Sequence, residues 1–319
     1  MRICERKIGI VGCGQVGMSY AFSLVQSGIC DKLVLIDLAH RRIEGEAEDL
    51  GHGACFLGKT VEVYAGDYSD LGDADLVVIT AGAAQEPKED RMALLQRNQI
   101  IMEDIVPRIL KSGFSGLYLV VTNPVDIMTR LVHDLSGAPC HRVIGSGTIL
   151  DTARLRYLLG NFFSLDPKNI HAYVLGEHGD SEFVPWSGVN VASKWALDIC
   201  RQNPNRFPIE KLFACESQTR NAAYRIIEAK GATNYGIATA LTRLTEAIFA
   251  NDASIFTLSC CAEGNYDLGD VYIGLPAVIG KDGIRELVCP LLSEQELQKL
   301  HESARYLDTM YQNAQPHLV

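Results

Sequence analysis

Ten cysteines stand among the 319 residues, yet no two form a CxxC pair. That disfavours a zinc ribbon or a thioredoxin-like centre, and no metal is expected. Most of the cysteines sit inside apolar runs such as "LSCCA" and read as small core residues. No run of five or six like charges occurs. With 29 basic against 39 acidic residues, a net of -10, neither nucleic acid nor an anionic membrane is expected as the main partner. A local basic pocket for a small anion stays compatible with that balance. No apolar span reaches about 18 residues, so no membrane helix is expected. The opening "MRICERKIGIVGCG" enters a strand within a few residues, without a signal-peptide core or transit-peptide composition. A cytoplasmic, reducing setting is the expectation. Repeats, low-complexity tracts and Pro/Ser-rich linkers are also missing.

What is present is enough apolar material, 47% of residues, for one or two substantial cores. The length suggests about two domains. "KIGIV" (7–11), "KLVLID" (32–37), "VEVYAG", "DLVVITAG" and "GLYLVV" (116–121) read as short apolar strands. Helical segments alternate with them: "MSYAFSLVQSG", "RRIEGEAEDLGHG" and the amphipathic stretch 92–112. Strands that are apolar throughout and alternate with helices indicate a parallel sheet covered on both faces. After "VIGSG" the pattern changes. "TILDTARLRYLLG" is helical, "HAYVLGEHGD" reads as a strand running into a loop, and helices follow over 216–230 and 235–250. β-rich runs with a hairpin signal in "IGKDGI" come next, then a closing helix, 293–313, opened by a capping box from Ser293 to Glu296. The second half is therefore α+β, with a boundary near 143–147 marked only by glycines.

Gly12-Cys13-Gly14-Gln15-Val16-Gly17 follows the first strand and opens a helix. Such a motif is weak alone, since glycine turns are common. Its context strengthens it: Gly12 permits a tight turn, Gly14 lets a pyrophosphate approach the backbone, and Gly17 lets helix and strand pack closely. The helix start offers free N–H groups to phosphate. Asp37 ends the second strand, where a carboxylate accepts from ribose hydroxyls and repels a 2′-phosphate. NAD is thus favoured over NADP. The bland alternative is a strand-turn-helix with an incidental acid.

Asp151 and Arg154 lie three apart on one helix, hence on one face, while Arg156 points elsewhere. By default such a pair is a surface ion pair. The segment "GEHGDSE" then brings in His178. Reducing a carbonyl takes a hydride on carbon and a proton on oxygen. An imidazolium beside a carboxylate can supply the proton near neutral pH, and a guanidinium fork can hold a substrate carboxylate.

These segments together carry a resemblance. "GCGQVG", "AGAAQEPKEDR" (81–91), "VTNPVDIMT" (121–129), "VIGSGTILDTARLR" (143–156), "GEHGDSE" (176–182) and "KGATNYGIA" (230–238) occur in order along nearly the whole chain. In them the chain resembles the lactate/malate dehydrogenase family, in its bacterial L-lactate form. The resemblance implies an α/β chain: a Rossmann-type doubly wound parallel sheet over 1–145, then an α+β catalytic domain over 146–319. It implies NAD as cofactor, pyruvate and lactate as substrates, and a homotetramer. His178 becomes the proton donor and acceptor, oriented and charged by Asp151. Arg154 binds the substrate carboxylate, and Arg91 polarises the carbonyl from a closing loop. Gln85, Asn123 and Thr233 line the substrate pocket. Gly12, Gly14, Gln15, Val16, Gly17, Asp37, Ala81, Gly82, Asn98, Val121, Asn123, Ser146 and Ile237 follow the cofactor.

Gln85 bears on the choice of acid. An arginine in that place would pair with the second carboxylate of oxaloacetate. A neutral glutamine leaves a buried dicarboxylate without a counter-charge, and Thr233 narrows the pocket, so pyruvate is favoured over oxaloacetate. The loop departs from the family pattern "QxPGETR": Lys88 stands for glycine and Asp90 for a hydroxyl residue, which puts the rate of loop closure in doubt. The resemblance also makes Arg156 and His171 a site for fructose 1,6-bisphosphate between subunits. An arginine fork and a histidine, doubled by two-fold symmetry, suit two phosphates. The rival readings are a malate dehydrogenase and a non-catalytic NAD-binding protein.

Overall fold

The computed structural model describes residues 5–83 and 91–314, with the backbone alone at Arg91. The first half alternates β1 (Lys7–Val11), α1 (Gln15–Ser27), β2 (Lys32–Ile36), α2 (His40–Ala54), β3 (Glu62–Ala65), β4 (Leu76–Ile79), α3 (Arg91–Lys111), β5 (Leu117–Val120), α4 (Val125–Ser136) and β6 (Val143–Gly145). β1, β4 and β5 are buried at every position, because helices cover both faces of the sheet. The six strands run parallel in the order β3-β2-β1-β4-β5-β6, with Ile8 of β1 opposite both Leu33 and Leu76. The order reverses direction between β1 and β4. Helices connecting to either side leave a crevice there, at the carboxyl ends of the strands. Helix α4 is not among the expected elements, since Asn123 before Pro124 serves equally in a turn or at a helix cap. Pro124 is in fact its N-cap.

The second half contains α5 (Ile149–Phe163), β7 (Ile170–His171), β8 (Asn190–Val191), β9 (Lys194–Trp195), α6 (Ala196–Gln202), α7 (Ile209–Arg220), α8 (Ala222–Lys230), α9 (Tyr235–Ala250), β10 (Ile255–Cys261), β11 (Tyr272–Gly280), β12 (Gly283–Leu287) and α10 (Glu294–Ala314). β10 pairs antiparallel with β6 through Ser259 opposite Gly145, and β11 and β12 follow. One nine-stranded sheet therefore runs from one half into the other. The predicted hairpin is present at β11–β12, and both bonds of the capping box at Ser293 and Glu296 are made.

Two expectations are corrected. The helix read over 216–230 is two helices, α7 and α8, meeting at Asn221, and the first begins at Ile209. The strand read in "HAYVLGEHGD" pairs in a ladder only at Ile170–His171. Beyond it, side chains of α5 and of its N-cap Thr148 take the place of a neighbouring strand. Thr152 Oγ1 accepts from the Val174 N–H (2.9 Å), Thr148 Oγ1 donates to the Val174 carbonyl (2.7 Å), and Arg156 Nε donates to the Ala172 carbonyl (3.0 Å). Buried backbone groups need partners, but not strand partners.

A large core spans the sheet and its helices, and a smaller one gathers Leu155, Leu159, Phe163, Ile170, Val184 and Leu212 beneath α5. Hydrogen bonds join α1 to α9 and the turn before it: Tyr20 Oη with Thr245 Oγ1 (2.6 Å), Ser23 Oγ with Thr242 Oγ1 (2.8 Å), and Ser19 Oγ with Asn234 Nδ2 (2.7 Å). Cys13, Cys30, Cys200, Cys215 and Cys260 are buried as free thiols, whereas Cys55 and Cys289 are exposed. Among the described residues no helix is long and apolar enough to cross a membrane.

Candidate active site

The glycine loop lies where β1 meets α1, at the strand-order reversal. Gly12 has φ +96°, and its N–H donates to the Ile36 carbonyl at 2.8 Å. A Cβ there would fall 2.2 Å from the Ala81 backbone nitrogen, and one on Gly17 would fall 2.3 Å from the Gly12 carbonyl oxygen. Gly14 differs, since a Cβ built on it meets nothing within 4 Å. The loop is thus packed shut beneath and open above, at the start of a helix that no side chain caps. That arrangement suits a pyrophosphate lying against backbone N–H groups. Asp37 stands at the end of β2. Its carboxylate accepts from the Cys13 N–H (2.8 Å) and the Ala39 N–H (3.0 Å), with Arg42 Nη2 3.4 Å away. A carboxylate held beside the loop suits a ribose diol. The residues present therefore fit a dinucleotide.

The opposite wall of the crevice is tied together by Asn98. Its Oδ1 accepts from the Ala83 N–H and its Nδ2 donates to the Asn123 carbonyl, both at 2.7 Å. Asn98 is 1% exposed, so this amide shapes the crevice from below. Thr122 Oγ1 donates to the Ala81 carbonyl (2.7 Å), fixing the segment that carries Gly82. Val121 and Ile237 are half-buried, and Ser146 is buried with its N–H on the Val120 carbonyl (2.8 Å).

His178 sits on a short excursion of the chain. Leu175 and Phe183 close the base with reciprocal backbone bonds of 2.9 Å, and Gly176 exchanges two more with Gly274 of β11. Inside it, Ser303 of α10 accepts from the Glu177 N–H (2.7 Å), and Ser181 Oγ donates to Glu177 (2.5 Å). The His178 N–H itself is held at 2.8 Å by Asp126 Oδ2 of α4, three residues beyond Asn123. The loop is therefore anchored on three elements before its imidazole makes any contact.

The imidazole then meets α5. His178 Nδ1 lies 2.6 Å from Asp151 Oδ2, and Arg154 Nη1 lies 2.6 Å from the other oxygen, Oδ1. The Asp151 side chain is 3% exposed, that of Arg154 13% and that of His178 27%. The default reading of Asp151 and Arg154 as a surface pair is thus corrected: the pair exists, but it is buried and shared with a histidine. With Nδ1 on Asp151, Nε2 is the nitrogen left for a ligand, and no hydrogen bond occupies it among the described residues. Burial alone would raise the Asp151 carboxyl. The charges of His178 and Arg154, with their hydrogen bonds, hold it below its ordinary value instead. Burial alone would lower His178, but Asp151, and then Glu182 and Asp126, lift it to about 9. Asp126 is pushed up to about 6 by burial.

Not every expected residue is joined to this centre. Gln85, Lys88 and Asp90 lie outside the described residues, as does the side chain of Arg91. Thr233 is half-buried in the turn before α9, with no hydrogen bond to the His178–Asp151 pair among the described residues. Arg156 reaches toward β7 instead, bonding Ala172 next to His171 and lying over the Tyr173 ring at 5.4 Å. His171 is exposed. The sequence reading missed Asp126 and Glu182. For each the signal available was a lone acid beside an apolar run, in "NPVDIM" and in "SEFVPW".

Comparison with known proteins bears on this arrangement. The model of the lactate/malate dehydrogenase NAD-binding domain matches residues 6–145, and that of the lactate/malate dehydrogenase alpha/beta C-terminal domain matches 148–315. An L-lactate dehydrogenase of Geobacillus sp. (strain WCH70) is 48% identical over 306 residues, 96% of each chain. One from Priestia megaterium is 49% identical over 307 residues, 95% of this chain and 94% of its own. Among solved structures, a lactate dehydrogenase from a Medee basin deep-sea metagenome library superposes with a TM-score of 0.93 at 47% identity, covering 97% of this chain and 99% of its own. The ligand-bound minor L-lactate dehydrogenase of Enterococcus mundtii gives 0.94 at 38% identity, covering 98% and 99%.

Proposed function

The chain belongs to the lactate/malate dehydrogenase family, and from that premise we propose that it is an NAD-dependent L-lactate dehydrogenase interconverting pyruvate and L-lactate. The observation that carries the reading is the buried His178–Asp151–Arg154 cluster, in a chain that also builds a loop shaped for a dinucleotide. Bound at that loop, held by Gly14, the α1 N-terminus and Asp37, the nicotinamide cofactor supplies or accepts the hydride. The protein's own groups handle charge and proton. Arg154 keeps one N–H on Asp151 and offers the rest of its fork to the substrate carboxylate. His178 Nε2 gives its proton to the carbonyl oxygen during reduction and takes it back during oxidation. Asp151 keeps the ring aligned and stabilises its charged form. Arg91 is assigned to the carbonyl oxygen, and Gln85, Asn123 and Thr233 to the remainder of the substrate, on the family resemblance. The domain cut is proposed at 145/146, between the two family-model matches.

The direct test is NADH oxidation with pyruvate and with oxaloacetate. Pyruvate is expected to win by at least about tenfold in kcat/KM, since an unpaired second carboxylate costs kilocalories on burial. Gln85→Arg is expected to invert the ratio. Preference of the parent enzyme for oxaloacetate would refute the substrate assignment.

The pH dependence follows from His178. Pyruvate reduction needs its protonated form, which is present below the folded-state value of about 9 and lost above it. Its kcat/KM is expected to be level through neutral pH and to fall tenfold per unit above about 9. Lactate oxidation needs the neutral ring, so its kcat/KM should climb through neutral pH toward the same point. Both profiles come from initial rates in constant-ionic-strength buffers.

We also propose a cytoplasmic homotetramer in which Arg156 and His171 bind fructose 1,6-bisphosphate across a two-fold axis. Supporting this are the proximity of Arg156 to the residue after His171, and large apolar side chains left exposed, among them Phe22, Tyr157 and Tyr235. Sedimentation and pyruvate kinetics with and without the sugar bisphosphate test both parts.

A further inference from the structure

Glu182 lies in the same excursion as His178, four residues on, and is 4% exposed. No hydrogen bond reaches its carboxyl among the described residues. One polar atom each of Asp151, His178 and Glu182 lie within 4.8 Å of one another. Among the described residues, the charged groups that act most strongly on Glu182 are Asp151 and Arg154 of α5, His178 in its own loop, and Arg220 of α7. Arg220 is not a dedicated counter-ion, because one N–H is spent on the Glu182 backbone carbonyl (2.7 Å) and it also reaches Glu216 (3.4 Å). Those acting most strongly on His178, again among the described residues, are Asp151, Glu182 and Asp126. A largely buried acid whose carboxyl finds no donor among the described residues is expensive to keep, so its surroundings ask for a reason.

We propose that Glu182 is a positioning residue of the proton-transfer pair: its carboxylate faces the His178 ring without bonding to it, and holds the ring proton against loss as the medium turns alkaline. The proposal rests on the reading of His178 as the proton carrier. It divides the work between two carboxylates. Asp151 is bonded to both His178 and Arg154 and stays charged, so its pull on the ring is constant. Burial first, and the charge of Asp151 second, push Glu182 up to about 8. Glu182 is therefore neutral in acid and adds its attraction only as the pH approaches the range where the ring would release its proton. A neutral Glu182 at lower pH also spares the incoming substrate carboxylate a repulsion. The site can thus keep its acid form at high pH without carrying a third negative charge at low pH.

The test compares the parent with Glu182→Gln, which keeps shape and removes charge, and Glu182→Asp, which keeps charge and withdraws it by one methylene. In Glu182→Gln the alkaline limb of pyruvate reduction is expected to move down by about one pH unit. At alkaline pH that is about a tenfold loss of kcat/KM for reduction, with little change at neutral or acid pH, and the alkaline rise of lactate oxidation should move down in pH with it. Glu182→Asp should recover part of the shift. A role in loop folding alone would scale the whole profile and leave its midpoint in place. The ring is also titrated directly, by NMR of histidine-labelled protein, with the His178 signal assigned by its absence from His178→Asn. A His178 midpoint lowered in Glu182→Gln supports the proposal. Midpoints that coincide in parent and variant overturn it. Should Glu182→Gln not fold, Glu182→Asp must still show a smaller downward shift, and an unshifted midpoint there counts against the proposal equally. If the parent does not turn over pyruvate, the functional reading fails, while the NMR titration still decides the role of Glu182.

Discussion

His178→Asn is expected to lower kcat for pyruvate reduction by about 10³-fold or more, while NADH binding stays close to that of the parent. Proton transfer is the step the imidazole serves, and no other described group that bonds Asp151 can deliver a proton at neutral pH. Arg154 shares the carboxylate, but a guanidinium does not release its proton in that range. Asparagine is preferred to alanine because its amide N–H can still serve Asp151, so the buried carboxylate is not stripped of a partner. The loop should stay in place, because the backbone N–H of residue 178 is held by Asp126 at 2.8 Å whatever the side chain. Single-turnover rates with saturating NADH measure the chemical step, and fluorescence titration measures the cofactor. A loss below tenfold would mean that the proton comes from elsewhere.

The second large effect is expected at the glycine loop, where two neighbouring substitutions should separate architecture from ligand contact. Gly12→Ala puts a methyl group 2.2 Å from the Ala81 nitrogen, in a backbone with φ +96°. Strain in that region and overpacking each cost about 1–3 kcal/mol. The obstacle is backbone at the end of β4, which cannot swing aside as a long side chain would. Gly12→Ala should therefore lower the denaturant midpoint and lose cofactor binding together. Gly14→Ala should do one without the other. Its φ of -73° is ordinary, and its Cβ enters open space, so stability should hold. Yet the methyl occupies the space above the loop, and NADH affinity is expected to fall by at least about tenfold, the equivalent of roughly 1.4 kcal/mol. Chemical denaturation and NADH titration on both variants make the comparison. Equal stability of all three proteins would contradict the packing argument, and unchanged affinity in Gly14→Ala would contradict the placement of the phosphates.

Legibility along the chain varied with how local the cause was. The strands of the first half could be read because burial on both faces makes them continuously apolar, and Gly28 and the Ser293 capping box end or begin helices by local chemistry. The segment from Ala172 to Val174 misled for the opposite reason. Its composition suits a strand, but Thr148, Thr152 and Arg156 answer its backbone, and nothing in the segment's own residues reveals that. α4 was hidden because Pro124 serves equally in a turn and at a helix start. In the site, His178, Asp151 and Arg154 were legible through the resemblance, and their burial was not. Spacing on α5 says that Asp151 and Arg154 share a face; it does not say which way the face looks. Asp126 and Glu182 were harder still, being single acids whose partners are dozens of residues away.

By itself, then, the order of amino acids determined the parallel sheet, the glycine turn with its acid at the second strand, and the identity of the groups able to carry charge and proton. Those depend on hydrophobic period, backbone freedom and side-chain chemistry, all properties of a few adjacent residues. Only the tertiary structure decided that one carboxylate would be divided between a histidine and an arginine out of reach of water, with a second acid waiting nearby. Proton affinity is set by what lies within a few ångströms and by how much solvent is excluded, and both arise when distant segments close on one another.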